Sequence, residues 1–356
     1  MKRVIVAVLA GAGMLAAGLL TAMPSGSAGN SAWRLVHQAS SLAFSDDLVA
    51  LGERDVWAFG SRQIGYWRFG ATAYHWDGER WADTGLPTRP GGSFMTAGAS
   101  SPTNVWAVTS GDETGMEVLR WDGRAWTPQP RPPVSSAQDL IVLGEDDVWL
   151  FGEQSWHRTA SGWADAHVPM VVSSASARSA TDIWAVGWDR AEGGTPLVGH
   201  YDGRAWRLVP LGEALPPSPT RRYSLASVAA GASGVVITAN VLDDTTQTTK
   251  PILLHRTEDG WRTEAVTEVT GPWRETSAPI PDGRGGHWFL GSTDVNGYDS
   301  ALAHRSAGGA WTVTPVSPIP GTAEFVTLAS VPGTSRFLAT GQIDSTPGVY
   351  LHDAEP

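Results

Sequence analysis

The side chains in this chain that could carry acid–base or metal chemistry are nine histidines and 36 acidic residues; there is no cysteine. The missing thiol excludes disulfides, cysteine-ligated zinc, thiol catalysis and a cysteine-linked copper radical. Six histidines (His75, His157, His200, His255, His304 and His352) fall at one recurring position in successive repeats, and Arg120 takes that position once. Residues that an architecture repeats around a ring stay far from their copies, so these are read as structural hydrogen-bonding groups, not as ligands of one metal. His37, His167 and His287 have no evident companions. Asp77, Asp122 and Asp202 each precede a glycine and are explained as turn residues. The run Asp294-Val295-Asn296-Gly297-Tyr298-Asp299 has oxygen donors at spacings that suit calcium, but it lacks the full calcium-loop pattern and reads as a polar loop. Asp243-Asp244 and Asp112-Glu113 are weaker still. No metal and no cofactor is expected.

Covalent hydrolysis by serine usually sets the nucleophile in a Gly-x-Ser-x-Gly elbow before a helix, and no such elbow is present. A glycosidase needs two carboxylates a few ångströms apart, a relation that a linear sequence does not display across repeats. Sialidase-like chemistry would need an arginine cluster and a tyrosine facing the centre, where segments such as Val172-Ser173-Ser174-Ala175-Ser176 supply small residues.

The elements that would position these side chains come from an internal repeat. Asp55-Val56-Trp57-Ala58-Phe59-Gly60 lines up with Asn104-Val105-Trp106, Asp147-Val148-Trp149 and Asp182-Ile183-Trp184, then more loosely with segments around Val236, Trp288 and Leu338. These positions are on average about 47 residues apart, within the range of four-stranded propeller blades. A second signature follows: His75-Trp76-Asp77-Gly78-Glu79-Arg80-Trp81 matches Arg120-Trp121-Asp122-Gly123-Arg124-Ala125-Trp126 and His200-Tyr201-Asp202-Gly203-Arg204-Ala205-Trp206. Asp-Gly between apolar runs predicts a two-residue hairpin with Asp and Gly both at positive φ. A further β-like run precedes each first signature, from Leu48–Leu51 through Ser277–Ile280 to Phe325–Leu328. Each unit therefore reads as four strands, A to D, apolar on both faces as in a layer sandwiched between neighbours.

The seventh unit ends at Tyr350-Leu351-His352-Asp353 without a fourth strand, while Trp33-Arg34-Leu35-Val36 has no unit of its own and matches Trp206-Arg207-Leu208-Val209. Setting the N-terminal segment beside the last strand closes the ring and removes an open edge. The expected fold is all-β: a seven-bladed propeller of four-stranded blades, occupying residues 29–356. Over residues 30 to 353 the chain resembles bacterial secreted propellers related to the kelch-like and Asp-box repeat families. It departs from the Asp-box spacing and lacks the paired glycines of kelch, so the resemblance implies the fold and no activity.

Residues 1–28 are expected to be a signal peptide: Lys2 and Arg3 open it, Val4 to Leu20 is apolar, and Ser25-Gly26-Ser27-Ala28 is a small-residue cleavage site. Without them the chain carries 36 acidic against 23 basic residues, a net charge of −13. Such a chain is a poor partner for nucleic acid or anionic membrane, and no membrane insertion is expected after cleavage. A secreted, extracellular monomer follows.

Fifteen of the 18 tryptophans fall into repeat positions; Trp67, Trp188 and Trp273 do not. These three fall in B–C or D–A connections, which emerge on one face, and so do the longer stretches 61–73, 188–197, 210–222, 240–250 and 291–300. Aromatic-bearing loops on a rigid scaffold are the usual place for recognition. Trp67, Trp188, Asp189, Arg190, Trp273 and Arg274 are therefore the candidate ligand-binding residues, although the tryptophans could equally pack beneath their own loops. The expected function is non-enzymatic binding or scaffolding, toward an extracellular glycan or protein. The alternative is a carbohydrate-active enzyme, hydrolase or lyase, built on the same scaffold.

Overall fold

The repeat becomes seven separate antiparallel sheets in the computed structural model, which describes residues 33–39, 43–66, 68–87, 91–111, 115–191, 194–266, 274–275, 278–282, 284–292, 299–317, 319 and 321–353. The expected signal peptide lies outside these residues. Strand β1 (Trp33–Gln38) comes first. Blade one follows with β2 (Ala43–Gly52), β3 (Asp55–Gly65), β4 (Arg68–Trp76) and β5 (Trp81–Asp83). Blade two holds β6 (Phe94–Ser101), β7 (Asn104–Ser110), β8 (Met116–Trp121) and β9 (Trp126–Gln129). Blade three holds β10 (Asp139–Gly144), β11 (Asp147–Phe151), β12 (Trp156–Thr159) and β13 (Gly162–Asp165). Blade four holds β14 (Val171–Ser179), β15 (Asp182–Trp188), β16 (Pro196–Tyr201) and β17 (Trp206–Leu208). Blade five holds β18 (Arg221–Gly231), β19 (Gly234–Asp243), β20 (Thr248–Thr257) and β21 (Gly260–Ala265). In blade six the first strand is split into β22 (Arg274–Glu275) and β23 (Ile280–Pro281), both paired to β24 (His287–Ser292), with β25 (Ser300–Arg305) and β26 (Trp311–Pro315) beyond. Blade seven holds β27 (Ala323–Ser330), β28 (Arg336–Ile343) and β29 (Thr346–Asp353).

The fourth strand of blade seven is β1, in the sheet order β1-β29-β28-β27 with Trp33 opposite His352. Ring closure by the N-terminal strand is thus seen directly. Trp33 is 7% exposed and packs edge-on to Phe325, with ring centroids 4.8 Å apart.

Buried side chains form seven clusters, one at each seam between blades. Trp57 and Phe59 of blade one meet Phe94, Leu119 and Trp126 of blade two, while Val56 and Ala58 face Leu338 and Val349 of blade seven. Successive residues of a strand point to opposite faces, so a strand clasped on both sides must be apolar at odd and even positions alike.

Two expectations about turns and slots need correction. In the Asp-Gly turns only the glycine is left-handed: φ is 94° at Gly78, 94° at Gly123 and 85° at Gly203, whereas the aspartates are not positive. Asp77 sits one place earlier and its Oδ1 accepts the N–H groups of Glu79 and Arg80, at 2.8 and 2.9 Å. A Cβ on Gly203 would also strike Thr181 of the neighbouring A–B turn, at 2.7 Å. Second, His352 does not share the slot of the other five histidines. Leu338, the counterpart of Trp57, pairs with Leu351, and His352 stands opposite Trp33 as Trp76 stands opposite Trp81.

Candidate ligand-binding face

The recurring histidines take part in a repeated three-residue arrangement. Asp55 Oδ1 accepts Trp57 Nε1–H at 3.0 Å and bonds His75 Nε2 at 2.9 Å. Asp147 does the same for Trp149 and His157, both at 2.9 Å, and Asp182 for Trp184 and His200, at 2.8 and 3.0 Å. In blade two Asn104 Oδ1 accepts from Trp106 Nε1 and Arg120 Nε, each at 2.9 Å. The rings stack as well, with Trp149 and His157 centroids 3.8 Å apart. Trp57 is fully buried, so its indole N–H needs an acceptor, and a carboxylate two residues earlier on the strand supplies one. Blade six reaches the same end by another route: Asp282 Oδ2 bonds His304 Nε2 at 2.9 Å, in space left by the missing side chain of Gly286. Burial alone would raise Asp282, but the His304 bond and the N–H groups of Arg284 and Gly286 hold it below its usual range.

Blade five has Gly234 where blades one, three and four carry the acid, and a different charged cluster stands at its seam with blade six. Arg305 forks onto Glu264 at 2.5 and 2.7 Å, and Trp311 Nε1 donates to Glu264 at 3.3 Å. His255 Nε2 lies 3.2 Å from Glu264 Oε2 but outside hydrogen-bonding geometry. Burial first, and the Arg305 charge second, push His255 down to about 4. Burial alone would raise Glu264, but the Arg305 fork outweighs it and leaves the carboxyl below its usual range. A carboxylate saturated by an arginine is a poor proton acceptor, so this cluster is suited to joining blades.

The innermost strands face a problem general to sheet edges, because their outward N–H groups have no strand to pair with. Side chains of the preceding blade answer it. Asp139 Oδ2 accepts from Ala175 N at 2.8 Å, Ser176 Oγ from Ala230 N at 3.0 Å, and Asp47 Oδ2 from Ala97 N at 3.4 Å. Sequence reasoning took the small and polar residues here only as a sign of convergence on the axis. In blades one and three the signal for this second role was an aspartate one place before an apolar pair, Asp47 before Leu48-Val49 and Asp139 before Leu140-Ile141.

Antiparallel alternation puts the B–C and D–A connections on one face and the A–B and C–D turns on the other. On the first face, two stretches expected to be loops are strand. β3 and β4 pair up to Gly65 opposite Arg68, and β18, β19 and β20 pair up to Arg221, Asp243 and Thr248, so blades one and five rise as hairpins above that face. The blade-one hairpin carries Ile64, 46% exposed, and Tyr66, 87% exposed. Tyr66 lacks the mark that sets Trp67 and Trp188 apart in the sequence, a tryptophan outside the repeat.

Trp188 is the last residue of β15, paired to Val171 and Pro196, and is 40% exposed with Gly194 beneath its ring. Asp189 and Arg190 fasten the loop that follows: Asp189 Oδ1 accepts Thr195 N at 3.1 Å, and Arg190 donates to the carbonyls of Glu153 and Met170. Trp67 and Trp273 lie outside the described residues; Arg274 pairs through its backbone with Ser292, its side chain undescribed. Exposed Ile319 adds an apolar side chain on the D–A connection into blade seven. Among the described residues no three histidine or acidic side chains are grouped to hold a metal ion.

No family model matches the chain, and no curated protein does either. Solved structures resemble it in fold. Ycf48 bound to a D1 peptide is 15% identical, covering 91% of this chain and 96% of that one, with a TM-score of 0.59. Ycf48 from Cyanidioschyzon merolae is 13% identical over 90% and 98% of the two chains, with a TM-score of 0.59. An ancestral GH74 enzyme is 10% identical over 88% of this chain and 48% of that one, with a TM-score of 0.57. Likeness at this identity is likeness of the propeller scaffold, which serves proteins of different function.

Proposed function

We propose that this chain is an exported, non-enzymatic binding module that takes an extracellular glycan or protein on the face bearing the B–C and D–A connections. The observation that carries this reading is the contrast between the faces. Tyr66, Ile64 and Trp188 offer apolar surface on the proposed binding face, on a hairpin and a strand end, and Ile319 does so on the connection into blade seven. On the opposite face, Asp77, Asp122 and Asp202 are committed to turns, each held below its usual carboxylate range by backbone N–H groups. Aromatic anchors on a fixed scaffold lose little freedom on binding, which favours recognition.

The recurring histidines and acids, the residues best suited to catalysis, are engaged in holding strands and blades together. The peptide-bound Ycf48 neighbour is a precedent for binding on this scaffold, and the GH74 enzyme for catalysis on it. Export rests on the basic start, the apolar run and the small residues before Ala28, and kinship with kelch-like and Asp-box propellers rests on the repeat. Pull-down with the purified mature protein, against insoluble cell-wall glycan and against culture-supernatant protein, tests the reading. Saturable retention by either supports it, and turnover of a glycan without retention would transfer the chain to the enzymes.

A further inference from the structure

The strand that closes the ring is held by a half-buried histidine at each end, and neither resembles the carboxylate-bonded histidines of blades one, three, four and six. His37, on β1, reaches across the seam to blade one, where it stacks on Trp81 at 5.2 Å and tilts against Tyr74 at 4.8 Å. His352, on β29, lies against Trp33 at 4.8 Å and within 6.5 Å of Phe337. His37 Nε2 and His352 Nδ1 are both buried without a hydrogen-bond partner in the protein. We propose that these two histidines make the closing strand an acid-released latch, opening the ring between blades seven and one as pH falls below neutrality.

The charged and titratable groups around them decide the sign. Around His37 stand Tyr74 from β4 and Asp83 from β5, with Arg62 of β3 within 3.9 Å of Asp83. Around His352 stand Asp353 on its own strand and Arg336 from β28, which bonds Asp353 at 2.8 Å. Both carboxylates thus already face an arginine, and what surrounds each imidazole at contact distance is aromatic. Burial lowers both histidines below their ordinary value, and the nearby carboxylates oppose it less strongly. A histidine depressed in the closed state binds its proton more readily once released. Closure is therefore fully favoured above the free-histidine range, near 6.5, and is lost as pH falls toward the lowered value. His75, His157, His200 and His304 each have an aspartate as hydrogen-bond partner.

Hydrogen exchange of residues 33–38, followed by mass spectrometry on the full chain and corrected for intrinsic rates, tests the latch. Two protons taken up on release raise the opening equilibrium by up to about 100-fold per pH unit below about pH 6.5, and one proton by about 10-fold. The wild type is expected to approach the steeper slope. His37→Gln and His352→Gln should each follow the shallower one, and the double variant should be flat. β17 in blade four, without such a histidine, serves as the comparison and should change little. A double variant that keeps the wild-type slope, or β17 opening in step with β1, would overturn the proposal. The second result would place the acid sensitivity elsewhere, at His255 and His287 between blades five and six. If either variant fails to fold at pH 7.5, the slope of β1 relative to β17 in the wild type still decides.

Discussion

Asp55 shows how one side chain serves two neighbours in this protein. Its carboxylate satisfies an indole N–H that is sealed from water and also the imidazole stacked on that indole. Replacing Asp55 by Ala leaves Trp57 Nε1 buried and unbonded, and is expected to cost about 1–3 kcal/mol. A lowered melting temperature, with binding per folded molecule unchanged, is the outcome expected from scanning calorimetry and a binding assay on the same sample. The turn glycines make a second point at this scale. Gly203→Ala meets both a left-handed backbone and Thr181, so it should destabilise by more than about 1 kcal/mol, whereas Asp202→Asn keeps an oxygen acceptor and should be tolerated. Denaturation midpoints of the two variants separate these expectations.

At the scale of the strand, β1 is the element whose position follows from what the last repeat lacks. Deleting residues 33–38 removes Trp33 from between blades six and seven and bares the edge of β29. Loss of the buried tryptophan alone costs about 3–5 kcal/mol, a large part of the stability of an ordinary domain. The truncated chain is expected to melt lower and to aggregate, as light scattering would report; an unchanged melting temperature would contradict the arrangement. This strand was legible because tryptophan marks the outer position of every blade. The exact slot of His352 was not, because Phe337-Leu338 offers two apolar residues and only pairing to Leu351 chooses between them. The hairpins of blades one and five were read as loops for a related reason. Thr245-Thr246-Gln247 and Ile64-Gly65-Tyr66 carry polar or turn-like composition, and strand pairing above the face comes from partners on either side. Of the candidate site residues, Trp188 could be picked out as off-repeat, but a sequence does not identify the bonds that occupy its neighbours, Asp189 by the N–H of Thr195 in the same loop and Arg190 by carbonyls of distant segments.

The described residues from Trp33 to Asp353 form a closed ring whose two faces differ in what they present. The proposed export rests on the basic start, the apolar run and the small residues before Ala28: intact mass of protein from culture medium is expected to correspond to a chain beginning after Ala28. The central claim is that binding belongs to the face of Tyr66 and Trp188, and it is tested by comparing two double variants against the ligand retained from glycan or supernatant. Tyr66→Ala/Trp188→Ala should stay folded and lose about 2 kcal/mol of binding, near 30-fold in Kd by titration calorimetry. Asp77→Asn/Asp122→Asn, on the opposite face, should bind as the parent does. A folded Tyr66→Ala/Trp188→Ala protein that binds at full strength, beside an Asp77→Asn/Asp122→Asn protein that does not, would contradict the account.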